Sequence, residues 1–332
     1  MKSGLPAILR RRAPVDKDRL IRELQTRFPA ASAPFAVTAR RLGTSEKEIL
    51  DTVKTALADG TIREFGPVFD PRRLGYVSTL VAAEVEESSI ETCAEALNPV
   101  PEITHNYLRD HTINLWFTVI AAGRERLQTV IGKAAALRGV ARVMSLPVKK
   151  VFKIRAVWDS DESGSDVQSE SCEPPVFDET ARRLVRALQD GFPIVQYPFS
   201  VIAEKAEIPE QVVLNMVGNW IENGVIRRFG ARLNHRSIGY TVNILAVWHG
   251  EDAESLGKTF ARLPAVSHCY LREPQPDWPY TLYTMIHAHS DHEGDKLLTS
   301  MRTAAPGATV ATLRTLRELK KTNMKYFREN QP

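Results

Sequence analysis

Two short stretches carry the same polar triplet at alternate positions, His105-Asn106-Tyr107-Leu108-Arg109 and His268-Cys269-Tyr270-Leu271-Arg272. Alternate side chains of a strand point to one face, so in each stretch an imidazole, a phenol and a guanidinium would project together. Such a face is expensive to bury against apolar groups, and it is expected to meet water or a ligand cavity. A second cluster, Arg227, Arg228, Arg232, His235 and Arg236, lies just before a sheet strand, with Arg72 and Arg73 at the matching place upstream. Arginine is suited to bidentate capture of carboxylates, so the cluster reads as an anion site fitted to a small polycarboxylate. Beside the second triplet, Glu273–Tyr280 (EPQPDWPY) combines three prolines with two aromatics. Trp278 there reads either as a flat wall for a ligand or as a plug of the core. His287, His289 and His292 have an H-x-H-x-x-H spacing without clear supporting ligands, and no metal site is expected.

The triplets recur because the chain does. Gly60–Tyr76 aligns with Gly224–Tyr240 at an offset of 164, with eight of seventeen positions identical. Leu20, Leu24, Phe28, Pro29 and Phe35 match Leu184, Leu188, Phe192, Pro193 and Phe199 at the same offset. After the triplets the second copy gains four residues, since LWFTVIA at Leu115 answers LYTMIHA at Leu282. A period this long marks a duplicated domain rather than a solenoid.

Each copy predicts the same elements. Asp16 and Asp178 precede helices with apolar residues at helical spacing, Leu20/Ile21/Leu24 and Leu184/Val185/Leu188. A second helix follows Phe35 or Phe199. A third starts at Ser45, in a capping-box pattern with Glu48, and buries Ile49, Val53 and Leu57; its twin starts near Pro209 and buries Val212, Val213, Met216 and Trp220. With the β-like segments at 61–65 and 225–229 these make a winged helix-turn-helix. Strands at 77–86, 103–108, 113–121 and 140–154, with helices at 90–97 and 124–137, follow in βαββαβ order, which is ferredoxin-like. The expected fold is α+β, a tandem duplication of winged helix-turn-helix plus ferredoxin-like units. Its parts are 14–70 and 71–157, an acidic Ser-rich linker at 158–177, then 178–234 and 235–330. The two ferredoxin-like domains are expected to dock as an internal pseudo-dimer.

The 332 residues are 43% hydrophobic and 25% charged, ordinary globular values that exclude a disordered or fibrous chain. Cys93, Cys172 and Cys269 form no CxxC pair, and the expected compartment is a reducing cytoplasm. The start of the chain does not read as a secretory signal, and no apolar run approaches the roughly 20 residues of a membrane helix. The net charge of +4 conceals an acidic stretch, because Asp159–Asp178 holds seven acids and no Lys or Arg and leaves +11 on the rest. That composition reads as a flexible linker.

The architecture resembles the Lrp/AsnC transcription regulators, which raises as an alternative a DNA-binding regulator that responds to a small molecule or a tetrapyrrole. A recognition helix must reach phosphates and base edges. Here the third helix of the first copy sets Glu46, Glu48, Asp51 and Asp59 against two lysines, and its twin has Glu210 and Glu222 with no basic residue. Such helices would be repelled by the groove, which argues against DNA as partner.

Several motifs in order, IRRFGARLNHRSIGY, VSHCYLR, DWPY with YTMIHAH, and THNYLRD with NLWFT, resemble the siroheme decarboxylases of haem d1 and alternative haem biosynthesis. The resemblance spans nearly the whole chain, whose copies look like that family's two subunit types fused. One departure is His111-Thr112-Ile113, where an aromatic is expected before Asn114. The resemblance implies removal of the carboxyl groups from the C12 and C18 acetate arms of siroheme. It also implies siroheme as the partner, alongside related subunits or a homodimer, and no membrane. The macrocycle itself can delocalise the resulting negative charge, so no separate cofactor is expected. His268 is the first candidate for proton delivery as a histidine titrating near neutral pH, followed by His235 and His105, with Tyr270 as an orienting hydroxyl. Arg272, Arg232, Arg236, Arg228, Arg109 and Trp278 are the candidates for holding substrate. The second copy is the favoured site, because Arg232 and His235 stand where the first has Val68 and Pro71.

Overall fold

The structure, a computed structural model, describes residues 17–26, 28–154, 177–234 and 236–328. Asp16, His235 and nearly all of the acidic segment lie outside the described residues. The first copy begins with α1 (Lys17–Thr26), α2 (Pro34–Leu42), α3 (Glu46–Ala58) and β1 (Ile62–Phe69). It continues through β2 (Val77–Val85), α4 (Ile90–Leu97), β3 (Ile103–Arg109), β4 (Leu115–Ala121), α5 (Arg124–Ala135), β5 (Val140–Leu146) and β6 (Val148–Ile154). The second copy repeats the plan with α6 (Glu179–Gln189), α7 (Pro198–Ala206), α8 (Glu210–Glu222) and β7 (Ile226–Leu233). Then come β8 (Val242–His249), α9 (Ala253–Ala261), β9 (Val266–Arg272), β10 (Leu282–Ala288), α10 (Asp291–Thr303) and β11 (Thr309–Lys321). No described helix is long and apolar enough to cross a membrane.

The helix starts follow their caps. Ser45 Oγ accepts from Glu48 N at 3.2 Å and Asp178 Oδ1 from Ala181 N at 2.8 Å, each satisfying an otherwise orphaned donor. On α8 the buried face is Val213, Val217 and Trp220, so the stripe is rotated from the expected one and Val212 is exposed.

The expected wing takes a different form. Each helical unit supplies one strand, and β1 pairs antiparallel with its twin β7, Gly66 opposite Gly230. The backbone groups that a hairpin would satisfy within one unit are satisfied by the other copy. The helical units consequently share one core, in which Phe28 lies 5.7 Å from both Phe192 and Phe229, and Phe65 lies 5.9 Å from Phe192.

Among the described residues the main sheet has nine strands in the order β5-β2-β4-β3-β11-β8-β10-β9-β6. Within it each copy keeps the ferredoxin-like arrangement, with α4 and α5 packed on one half and α9 and α10 on the other. The segment 140–154, expected as one strand, divides at Pro147, which has no N–H for a ladder. β5 stays on β2, whereas β6 leaves to pair with β9 of the second copy. β11 does the reciprocal without a break, lying on β8 through Arg314 and on β3 of the first copy from Thr315. Because β5 and β6 are consecutive, the sheet returns to its starting point and the edges that β3 and β9 would expose are covered.

Gly230 has φ +144°, and a Cβ there would sit 1.9 Å from the Leu24 carbonyl oxygen, whereas the nearest atom to a Cβ at Gly66 is Phe192 Cβ at 3.4 Å. Gly230→Ala should therefore destabilise the chain by about 3 kcal/mol or more, through backbone strain plus an immovable clash. Gly66→Ala should cost clearly less, and urea midpoints of the two variants check the order.

Candidate functional site

The sheet and the β1–β7 ribbon border a partly open cavity of about 530 Å³, within the range of small-ligand sites. All six side chains of the two triplets line it. The strand period therefore places the polar faces of β3 and β9 in the same space, one from each copy. Trp116, Tyr283, Leu80, Leu245 and Met285 provide aromatic and aliphatic surface, and Arg63, Arg227, Arg228 and Arg232 come from the ribbon. Among the described residues the lining holds seven arginines and Lys321 and no aspartate or glutamate.

The deepest cations are fixed by the strand exchange. Arg272 donates to the Leu146 carbonyl at 2.6 Å, and Arg109 donates to the Leu313 carbonyl and Thr315 Oγ1, both at 3.1 Å. Each arginine is thus held by a carbonyl of the other copy, Leu146 at the end of β5 just before the crossing and Leu313 on β11. Each also lies over the tyrosine of its own triplet, Arg272 at 5.1 Å from the Tyr270 ring centroid and Arg109 at 5.5 Å from that of Tyr107. Burial lowers the pKa of both, that of Arg109 to about 10. Arg232 is paired with Glu64 and donates to Asn323 Oδ1 at 2.6 Å, while Arg72 and Arg227 share Asp70. Among the described residues Arg63, Arg109, Arg228 and Arg272 have no carboxylate partner. Burial, with Arg232 and Arg63 nearby, takes Arg228 down to about 10. Arg109 and Arg272 are buried and Arg228 is half-buried, and unpaired cations in such places are costly, so an anionic ligand would relieve them; Arg63 is exposed.

Burial first, and this charge second, decide the state of the histidines. Burial, then Arg63, Lys321, His268 and Arg232, pushes His105 down to about 3. Burial, then Arg227, Arg272, Lys321 and Lys153, pushes His268 down to about 4. The expectation of an imidazole titrating near neutrality is corrected: without an anion in the cavity both rings are neutral. Ser267 Oγ donates to the Met285 carbonyl at 3.2 Å and accepts from His268 Nδ1 at 2.9 Å, which leaves Nε2 of the neutral ring unprotonated. Thr104 Oγ1 stands 3.0 Å from His105 Nδ1 in the twin position. Burial raises Tyr107 to about 12 and also raises Tyr270, so both phenols keep their protons.

Of the expected substrate contacts, Arg109, Arg228, Arg232 and Arg272 line the cavity; Arg236 and Trp278 do not. Arg236 is exposed, and among the described residues no carboxylate pairs with it. Trp278 is a core plug that donates to Tyr283 Oη at 2.8 Å and packs 5.8 Å from Trp116 and 5.5 Å from His111. His235 lies outside the described residues. The favoured second-copy site is corrected to a site built by both copies, in which even Pro71 takes part. Arg63, Lys321, Tyr283 and His287 were not among the expected contacts. Arg63 was recoverable from its alignment with Arg227; nothing in sequence announced that Lys321 crosses to the other copy. His289 stacks on Tyr240 at 4.2 Å and His292 sits in the first turn of α10, so the three clustered histidines diverge.

A duplicated AsnC-like architecture with a cationic cavity between its halves defines the class: a ligand-binding or catalytic relative of the regulators. Residues 73–153 and 237–320 match the AsnC-like ligand binding domain, and residues 17–63 and 181–227 match the siroheme decarboxylase NirDL-like HTH domain. A siroheme decarboxylase of Hydrogenobacter thermophilus is 33% identical over 320 residues, 94% of this chain and 95% of its own length. A siroheme decarboxylase alpha subunit of Desulfovibrio desulfuricans is 38% identical over 163 residues, 48% of this chain and 94% of the subunit. The crystal structure of the siroheme decarboxylase NirDL with an iron-uroporphyrin III analogue superposes with a TM-score of 0.74 at 28% identity, covering 94% of each chain. The chain belongs to the siroheme decarboxylase family.

The depressed histidines make stability depend on pH. As pH falls from about 6.5 towards about 4 for His268 and about 3 for His105, the unfolded chain gains protons that the native cavity refuses, so native stability falls over that window. Melting temperatures at pH 7.5, 6.0 and 5.0 should decrease, and a His105→Asn/His268→Asn double variant should show a shallower decline. Identical slopes would remove these two rings as the cause.

Proposed function

We propose that the chain is a carboxy-lyase that converts siroheme to 12,18-didecarboxysiroheme inside the shared cavity. The observation that carries this reading is the lining itself, seven arginines and a lysine with no carboxylate among the described residues, set around an aromatic and aliphatic surface. A planar apolar macrocycle fringed by eight carboxylates has the complementary shape and charge. Neither the acidic α3 nor the second copy's α8, which lacks any basic residue, suits the DNA-binding alternative.

In each decarboxylation the bond between the acetate methylene and its carboxyl carbon breaks. The electron pair remains on the methylene and spreads into the macrocycle, carbon dioxide leaves, and a proton converts the methylene to a methyl group. The substrate is the electron sink, so the chemistry calls for no separate cofactor. Arginines on the departing carboxylate would favour the ground state over the transition state; they hold the other carboxylates and orient the ring. The apolar wall strips water from the carboxylate that leaves.

His268 and His105 deliver the protons, one near each half of the cavity. Their neutrality without substrate comes first from burial and then from a surplus of positive charge, and the incoming carboxylates offset the second. Binding of substrate therefore raises the imidazole pKa values and equips the rings as acids. Because both copies supply the lining, a single chain contains a whole cavity.

Anaerobic incubation of the purified chain with siroheme should give successive loss of two carbon dioxide molecules by mass spectrometry, with no partner subunit added. His268→Asn should reduce kcat by about 10²- to 10⁴-fold with little change in binding. Arg272→Met should weaken siroheme binding by about tenfold or more, the value of a buried charge-assisted contact. A His268→Asn chain that retained full turnover would exclude it as the acid.

A further inference from the structure

The two halves of the cavity are alike in backbone and unlike in charge. Across the ribbon Glu64 faces Arg232, while the twin positions bring Val68 opposite Arg228. The same turn then follows in both copies. Asp70 N donates to the Val225 carbonyl and Asn234 N to the Thr61 carbonyl, each at 2.9 Å. Asp70 Oδ1 accepts from Arg72 N at 2.9 Å, and Asn234 Oδ1 accepts from Arg236 N at 3.2 Å. One side chain is a carboxylate and its twin is a neutral amide of the same shape.

That single charge organises one end of the cavity. Asp70 is 4% exposed, and its carboxylate meets Arg72 Nη2 at 3.0 Å and Arg227 Nη2 at 2.9 Å, one arginine from each copy. Both arginines line the cavity. Burial works to raise the Asp70 pKa, but the two guanidinium groups outweigh it and hold the carboxyl below its usual range. At the other end Arg63, the twin of Arg227, has no ion pair among the described residues, and Arg236, the twin of Arg72, is exposed and outside the lining. The fixed pair belongs to the His268 end, because His268 feels the charge of Arg227, whereas His105 feels that of Arg63.

We propose that Asp70 is a positioning residue that sets which way round the macrocycle lies, and with it the order of the two decarboxylations. Arg72 and Arg227 are held as a preformed fork, so a carboxylate binds there without the loss of side-chain freedom that a mobile arginine incurs. At the other end Arg232 is held singly by Glu64 and Asn323, and Arg63 offers its charge with no carboxylate, among the described residues, to join it to Arg232 in a fork. The rim carboxylates therefore seat first at the fork, and the same acetate arm is always presented to His268. The inference rests on the siroheme decarboxylase reading and specifies how that site distinguishes two chemically similar arms.

The test uses the full chain, iron uroporphyrin III as a binding probe and siroheme as substrate, with the two singly decarboxylated isomers separated chromatographically after rapid quenching. The wild type should pass mainly through one isomer. Asp70→Asn, which makes the two turns equal in charge, should bind the probe about tenfold more weakly, raise KM more than it lowers kcat, and release both isomers in comparable amounts. Asp70→Glu should restore part of the preference. Asn234→Asp, which builds a second fork from Arg63 and Arg236, should increase the other isomer, and it serves even if Asp70→Asn does not fold. The inference is overturned if the wild type shows no preferred isomer, or if neither Asp70→Asn nor Asn234→Asp changes the isomer ratio. A wild-type chain that neither binds the probe nor releases carbon dioxide overturns the decarboxylase reading, and the orientation with it.

Discussion

Everything at the site depends on the exchange of the last strand between copies. β6 lies on β9 and β11 lies on β3, so each polar triplet has its own copy on one side and a strand from the twin on the other. The exchange closes the sheet around a space instead of leaving two half-barrels with open edges. It also brings the carbonyls of Leu146 and Leu313 to the guanidinium groups of Arg272 and Arg109. Hydrogen bonds from backbone oxygens orient a guanidinium without cancelling its charge, which a carboxylate partner would do. The cavity is consequently rigid and strongly positive at once.

The helical units show the same economy of reuse. In a regulator of this architecture the winged helix-turn-helix presents a basic helix outwards. Here α3 is acidic, α8 carries no basic residue, and the arginines have moved to β1 and β7, which pair and cover the cavity. The shared phenylalanine core locks that ribbon between the two units, so it behaves as a fixed roof. Arg227 and Arg232 are held from below by Asp70 and Glu64, carboxylates of the other copy.

Much of this was legible from the residues. Period-two spacing was enough to place His, Tyr and Arg of each triplet on one face, because strand geometry permits nothing else. The repeat revealed two equivalent halves and hence the docking of two ferredoxin-like domains. Which sheet the second half of a long strand joins is a tertiary choice, and so Lys321 and the backbone anchors of Arg109 and Arg272 were hidden. Arg72 and Arg236 look equivalent in an alignment; their different fates follow from Asp70 and Asn234 two residues earlier. The histidine protonation states were hidden for a related reason, since they depend first on burial in the assembled cavity and then on charges from the ribbon, β9, β6 and the end of β11. Trp278 could have been wall or plug, and a hydrogen bond to Tyr283 with packing on Trp116 decides for the plug.

The reciprocal strand exchange also imposes an order in time. The carbonyl that anchors Arg109 belongs to Leu313, 204 residues further along the chain. A ribosome can finish the whole first copy while β3 still lacks its outer neighbour, leaving the first triplet on an uncovered edge. Contacts of such long sequence separation form late because their loops are costly to close. The nascent chain therefore acquires a complete binding site only when the second copy's final strand emerges and docks, and until then its sheet is most exposed to mispairing at β3.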